Sequence, residues 1–290
     1  MHALPFLLAF AGAALLAPAL LRTLTEGGHT RANYRERLLA FPFGVLIVAA
    51  ALIALIPLVL LQRLAGAKVF HPEVLPITLY VLGVATLGLI DDTLGEARPC
   101  SRGGALDAPS GPLRRGWRGH GRAALHGELS TGTLKAAGSL GLALFAMSFE
   151  GLSKSRWLLA VGVLVLATNV FNLLDLRPGR AIKAFVLLGA GLTLGSLDAR
   201  PLWSLGLFAA PALVAGLYGL RERAMLGDTG ANLLGALAGL WLVLTLSGTG
   251  QLIALALLVA ITLYGELRSI SALVERVPGL RALDSFGRPS

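Results

Sequence analysis

"FPFGVLIVAAALIALIPLVLLQ", residues 41–62, holds no charged residue, and its one polar side chain is the last, Gln62. A helix rises about 1.5 Å per residue, so a run of this length covers a hydrocarbon core of about 30 Å. Comparable runs recur at 3–21, 74–90, 131–149, 155–172, 181–197, 202–220, 229–247 and 250–267. The chain therefore reads as all-α, a polytopic transmembrane helix bundle of about nine spans. Composition agrees: of 290 residues 55% are hydrophobic and only 14% charged, with a mean hydropathy of +0.74. That lies well outside soluble usage. The short alternating segments of an outer-membrane barrel are not seen. Gly recurs within the runs, as in "GSLGLALF" and "LLGALAGLW", where small residues let membrane helices approach closely. One membrane domain over 1–267, with a long loop at 91–130 and a tail at 268–290, is the expected organisation.

The formal net charge is +9, which in a soluble protein would invite nucleic acid. Its distribution points to topology instead, with no nucleic-acid partner. If the spans alternate, twenty of the 25 Lys and Arg follow odd-numbered spans, and only Arg63, Lys68, Lys154, Arg156 and Arg200 lie opposite. The positive-inside bias puts the N-terminus outside and the C-terminus in the cytoplasm. The first run ends in "APA", like a signal-peptide cleavage site, but lacks a basic region before it and reads as a retained span. The single cysteine, Cys100, excludes an intramolecular disulfide.

The basic loop 91–130 reads as a topology determinant in contact with anionic lipid, with "GRAALHGELSTG", 121–132, as a short interfacial helix. In the tail, Ile270, Leu273, Val274 and Val277 follow helical spacing opposite Ser271, Glu275 and Arg276. That pattern predicts an amphipathic helix on the cytoplasmic surface, interrupted at Pro278–Gly279.

Acidic residues are scarce, so their places carry information. "TLGLIDDTLGE", 86–96, sets Asp91 and Asp92 at the end of a span, where they repel each other and face the negative end of the helix dipole. A bound cation or a basic group from another helix would compensate them; a solvated charged cap is the alternative. In "ATNVFNLLDLRPGRAIK", 167–183, Asn169, Asn172 and Asp175 are spaced to share one helical face. They line a polar site or make interhelical hydrogen bonds. Arg177, Arg180 and Lys183 follow as a cationic group suited to phosphate. In "RERAMLGDTGANLLG", 221–235, Asp228 begins a span and reads as a metal ligand or as a plain N-cap. Carboxylates, amides and guanidinium groups on one face suit Mg²⁺ held together with substrate phosphates.

The paired acids at Asp91–Asp92, the run "NVFNLLD" and the segment "MLGDTGANLLG" together resemble, in order and spacing over roughly 30–240, the motif series of one family. It is the polyprenyl-phosphate N-acetylhexosamine-1-phosphate transferase superfamily, glycosyltransferase family 4. Relatives include phospho-N-acetylmuramoyl-pentapeptide transferase and undecaprenyl-phosphate GlcNAc-1-phosphate transferase. The resemblance implies a multi-pass enzyme of the cytoplasmic membrane that moves a phospho-sugar from a UDP-sugar to undecaprenyl or another polyprenyl phosphate. It implies Mg²⁺ as cofactor, UMP as product and cell-envelope glycan synthesis as the setting, and it leaves room for a homodimer. By position it makes Asp91, Asp92 and Asp228 catalytic. Asp228, Asp175 and Asn172 become metal ligands, and Asn169, Asn172, Asp175 and Lys135 substrate contacts; Arg177, Arg180 and Lys183 join the substrate contacts as the cationic group read from the residues themselves, not from the resemblance. The chain departs from the fuller motif by Pro178 in place of a second Asp, by Gly95 in place of a lysine, and by the lack of any His after His126. Two other readings stay open: a non-catalytic binder of lipid phosphate or nucleotide sugar, and a transporter, against which stands the absence of charge at mid-span.

Overall fold

The structure is a computed structural model that describes residues 1–95 and 131–289. The loop beyond Gly95, with Cys100 and most of the expected interfacial helix at 121–132, lies outside them. Each of the nine apolar runs forms one helix: α1 (Leu4–Glu26), α2 (Val45–Leu64), α3 (Val74–Leu94), α4 (Thr131–Met147), α5 (Lys154–Leu174), α6 (Arg180–Ser196), α7 (Arg200–Leu220), α8 (Gly227–Thr245) and α9 (Gly248–Leu267). Two short helices, α10 (Ile270–Arg276) and α11 (Pro278–Ser285), end the chain. Among the described residues the only sheet is a hairpin, β1 (Thr30–Ala32) paired antiparallel with β2 (Leu38–Ala40).

Seven of these helices are long and apolar enough to cross a membrane by length and composition. The other two apolar runs, α4 and α6, form helices of 17 residues, at the short end of what a bilayer requires. The chain is a multi-pass helical membrane protein. Its packing has a centre and a rim: 83% of the apolar stretch of α8 is buried, against 22% for α1 and for α9. The rim leaves Leu52, Ile53 and Ile56 of α2 and Leu252, Ile253 and Leu257 of α9 exposed, as lipid-facing positions are.

Since lipid solvates apolar side chains as well as a protein core does, close packing holds such helices together. Helix α8 achieves it with glycine. A Cβ on Gly235 would lie 2.5 Å from Thr168 Cα of α5, and one on Gly44 would lie 2.3 Å from Gly230 N. These are backbone-to-backbone approaches that no larger residue permits.

The hairpin positions the start of α8. Beyond β2 the chain pairs with the segment leading into α8: Met225 N donates to Ala40 O (2.9 Å), Phe43 N to Met225 O (2.8 Å) and Gly44 N to Leu226 O (2.9 Å). The hairpin turn is held by Asn33, whose Oδ1 accepts from the amides of Arg35 and Arg37. Buried Glu222 ties turn and segment together by accepting from the Tyr34 hydroxyl at 2.8 Å.

The tail is helical, with Ile270 and Val274 buried as their spacing predicts. The interruption expected at Pro278–Gly279 is there: α10 ends at Arg276 and Pro278 opens α11, with Gly279 inside it. Proline is well tolerated in a first helical turn, where its missing N–H has no intrahelical acceptor. So Pro278 ends the predicted helix and starts a second one.

Candidate functional site

The three polar motifs meet where the C-terminal turn of α3 crosses the N-terminal turn of α8. Gly88 makes this possible, because a Cβ there would lie 2.4 Å from Asp228 O. Gly227 holds the other side: its φ is +71°, and a Cβ would lie 2.7 Å from Asp92 Oδ2. Only glycine meets both the conformation and the space.

Asp91 and Asp92, adjacent in sequence, face different partners. Asp92 Oδ1 accepts from Asp228 N (2.8 Å), and its Oδ2 accepts from Thr229 N (2.8 Å) and Thr229 Oγ1 (2.6 Å). It caps the first turn of α8 from another helix, satisfying amides that a helix start leaves open. Of the two roles open to Asp228, metal ligand or N-cap, the capping one thus falls to Asp92. Asp228 is instead free to point elsewhere.

It points at Lys135. The Lys135 ammonium bonds Asp91 Oδ2 at 2.9 Å and makes a second, close contact with Asp228 Oδ2. With its amide turned to satisfy both neighbours, Asn172 donates through Nδ2 to Asp228 Oδ1 at 3.1 Å, and its Oδ1 accepts from Lys135 at 3.0 Å. Four helices, α3, α4, α5 and α8, thus supply one cluster, in which the Lys135 side chain is 18% exposed.

Asp175, just past the end of α5, makes no side-chain hydrogen bond among the described residues. Burial, and then the charges of Asp228 and Asp92, push its carboxyl well above the usual range, with Arg180 opposing. Among the described residues the cluster therefore holds more carboxylates than the Lys135 ammonium alone compensates. Among the described residues no three His, Cys, Asp or Glu are grouped to hold a metal. Asp228, the Asn172 carbonyl and Asp175, whose carboxyl feels the charge of Asp228, are oxygen donors of the kind hard Mg²⁺ takes.

Other expected site residues lie elsewhere. Asn169 donates to Thr262 Oγ1 at 3.2 Å across α5 and α9, the interhelical use that its place in an apolar run also allowed. Arg177, Arg180 and Lys183 are held by the tail. Arg180 grips Asp284 through Nε at 2.9 Å and Nη2 at 3.2 Å, and Arg288 grips it through both terminal nitrogens at 2.9 Å. Arg177 contacts Glu275 and lies over the Tyr34 ring at 4.7 Å. Lys183 donates to the carbonyls of Leu283 (3.0 Å) and Asp284 (2.7 Å). The cationic group expected to await phosphate is engaged by the protein's own carboxylates and carbonyls. Beside it a cavity of about 550 Å³ is lined by Tyr34, Arg35, Arg177, Arg281 and Arg288 among others.

Sequence reading missed Asp284, Arg288, Tyr34 and Thr229. A buried acid in a basic tail is a signal only once its partners, 104 residues away for Arg180, are known. Burial alone would raise the Asp284 carboxyl, but the hydrogen bonds from Arg180 and Arg288 outweigh it and hold it down to about 2. A carboxyl lowered on folding stabilises above its unfolded value of about 3.9. That stabilisation is lost as pH falls through the folded value. Hydrogen exchange across α11, corrected for intrinsic rates, should stay slow at pH 5 and rise between about pH 4 and 2. Asp284→Asn should raise it about tenfold at neutral pH, the equivalent of about 1.4 kcal/mol. Unchanged exchange in that variant would mean that the arginines do not hold the tail.

No family model matches the chain, and no curated protein matches it.

Proposed function

We propose that the protein is a Mg²⁺-dependent transferase of the cytoplasmic membrane. It moves a phospho-sugar from a UDP-sugar to a polyprenyl phosphate and releases UMP. One observation carries the reading: residues from three separate motifs, Asp91, Asn172 and Asp228, converge on the single ammonium of Lys135 at the end of an apolar bundle. In this reading α4 and α6 also cross the membrane, making nine spans with the N-terminus outside. The site then faces the cytoplasm, where nucleotide sugars are.

The chemistry is displacement at phosphorus. A phosphate oxygen of the lipid bonds to the β-phosphorus of the UDP-sugar, the bridging bond to the α-phosphate breaks, and UMP leaves with the electron pair. Asp91 takes the proton of the lipid phosphate, since the Asp92 oxygens are already committed to three donors. Asp92 is thus a positioning residue that fixes the first turn of α8 and with it Asp228. Lys135 holds negative charge on the transferring group. Asp228, Asp175 and Asn172 would hold Mg²⁺, which when bound neutralises the diphosphate. The cavity beside Tyr34, lined by arginines together with Glu275 and Asp284, is the space this reading gives to the nucleotide.

The test is UMP release from a panel of UDP-sugars by the protein in detergent with undecaprenyl phosphate and Mg²⁺. No release from any of them would sink the reading. Pro178 and the engaged arginines favour a second reading, a non-catalytic binder. It would show Mg²⁺-dependent binding of the lipid phosphate with no turnover. A transporter is disfavoured because the cluster lies at helix ends.

Asp175→Asn separates function from stability. A carboxyl raised on folding destabilises when ionised, so stability rises as pH falls through its folded value, and a neutral amide should mimic that gain. In EDTA the variant's apparent melting temperature should rise by about 2–5 °C, while UMP release is nearly lost. Lower stability with full turnover would contradict both roles.

A further inference from the structure

We infer that Lys135 is an exchangeable internal cation: its ammonium occupies the place a divalent ion would take beside Asp228 and Asn172, and it yields that place, keeping Asp91 as its partner, when such an ion binds. This rests on the reading of the cluster as a cation site.

An ammonium has three N–H donors, and Lys135 has three oxygen partners, from α3, α8 and α5. The acceptors are arranged around a point charge, as they would be around an ion. Lys135 is the cation hydrogen-bonded within the cluster, Arg180 acts on Asp175 by charge alone, and Asp175 makes no side-chain hydrogen bond among the described residues. A divalent ion supplies the second charge and gives Asp175 a partner.

Asn172 makes the two states exclusive. Its Nδ2 now faces Asp228 Oδ1 and its Oδ1 faces Lys135. Turning the amide by half a rotation presents the carbonyl beside Asp228 Oδ1, as an ion shared by the two oxygens requires. The same rotation points the NH₂ at Lys135, where two donors repel. The site has two discrete arrangements and no comfortable intermediate.

Lys135 can leave because its stem is flexible and its charge is a compact point, and because Asp91 remains its partner. Beside Asp91 alone it is free to receive an anion. A phosphate monoester that draws the ammonium away should therefore tighten the cation site. By linkage, the cation should tighten the phosphate site by the same factor. Asp92, bound by two amides and a hydroxyl, takes no part in the exchange.

Mn²⁺ binding to the full chain in detergent, followed by the paramagnetic resonance signal of the free ion, tests this without any turnover. Lys135→Met should bind Mn²⁺ about tenfold more tightly than wild type, and Asp228→Asn should bind it far more weakly. Dodecyl phosphate should tighten Mn²⁺ binding severalfold in wild type but not in Lys135→Met, with Asp228→Asn as the control for ion pairing in solution. Equal or weaker affinity in a folded Lys135→Met, no binding in any variant, or equal tightening by dodecyl phosphate in both proteins would overturn the exchange. Should Lys135→Met not fold, the phosphate effect in wild type decides alone, and its absence overturns the proposal. The exchange and the transferase reading can fail separately. Competition at the cation site without UMP release sinks only the reaction, and UMP release with unchanged Mn²⁺ affinity in Lys135→Met sinks only the exchange.

Discussion

On the transferase reading, Asp228→Asn should lower UMP release by at least about 10²-fold, the size of effect seen when one preorganised group that stabilises transition-state charge is lost, while the protein still folds. Both Asp228 oxygens are in use, Oδ2 on Lys135 and Oδ1 on the Asn172 amide. An amide has the same shape, but it offers one acceptor oxygen and turns its NH₂ toward a donor. Either Lys135 or Asn172 then meets a donor in place of an acceptor, and the negative charge that both the lysine and a divalent ion need is gone. The fold should tolerate the change, since α8 is capped by Asp92 through backbone amides that the substitution leaves in place. Turnover measured in detergent should collapse while the melting temperature stays within a few degrees of wild type. Wild-type turnover would remove Asp228 from the chemistry.

Gly88→Val should leave almost no monodisperse protein after extraction. The added Cβ would sit 2.4 Å from Asp228 O, 2.7 Å from Asp228 C and 2.8 Å from Thr229 Cα. All three atoms belong to the first turn of α8, so no side-chain rotation relieves the clash. Overpacking an adaptable core costs about 1–3 kcal/mol; here the obstacle is backbone and the cost should exceed that range. To separate, the helices would also have to pull the Thr229 and Asp228 amides from Asp92. Gly141→Val on α4, where nothing lies within 4 Å of the added Cβ, is the matched control and should extract as wild type. A well-folded, active Gly88→Val would refute the close crossing of α3 and α8.

Hydropathy was enough to find the helices because a span must satisfy its own backbone and present apolar side chains along its length. Each of the nine runs is a helix at nearly its predicted bounds. The site was legible for a related reason: with 14% charged residues, a carboxylate at a span end is costly unless something uses it. That scarcity marked Asp91, Asp175 and Asp228 before any geometry was known. A basic group from another helix is what the paired acids call for, and Lys135 of α4 supplies it to Asp91 while also bonding Asp228.

What sequence alone determined was therefore a helical membrane bundle with an acidic, amide-bearing cluster at the helix ends, because hydrocarbon imposes its demands residue by residue. Only the tertiary structure decided how the charges are shared out. Neighbours on a helix point about 100° apart, so the rotation of α3 sends Asp92 to the α8 amides and Asp91 to Lys135. The same holds for the RPGR arginines, which local spacing offered to a phosphate and which the folded tail holds through Asp284. Pairings across a hundred residues depend on how whole helices pack, and no local pattern encodes that.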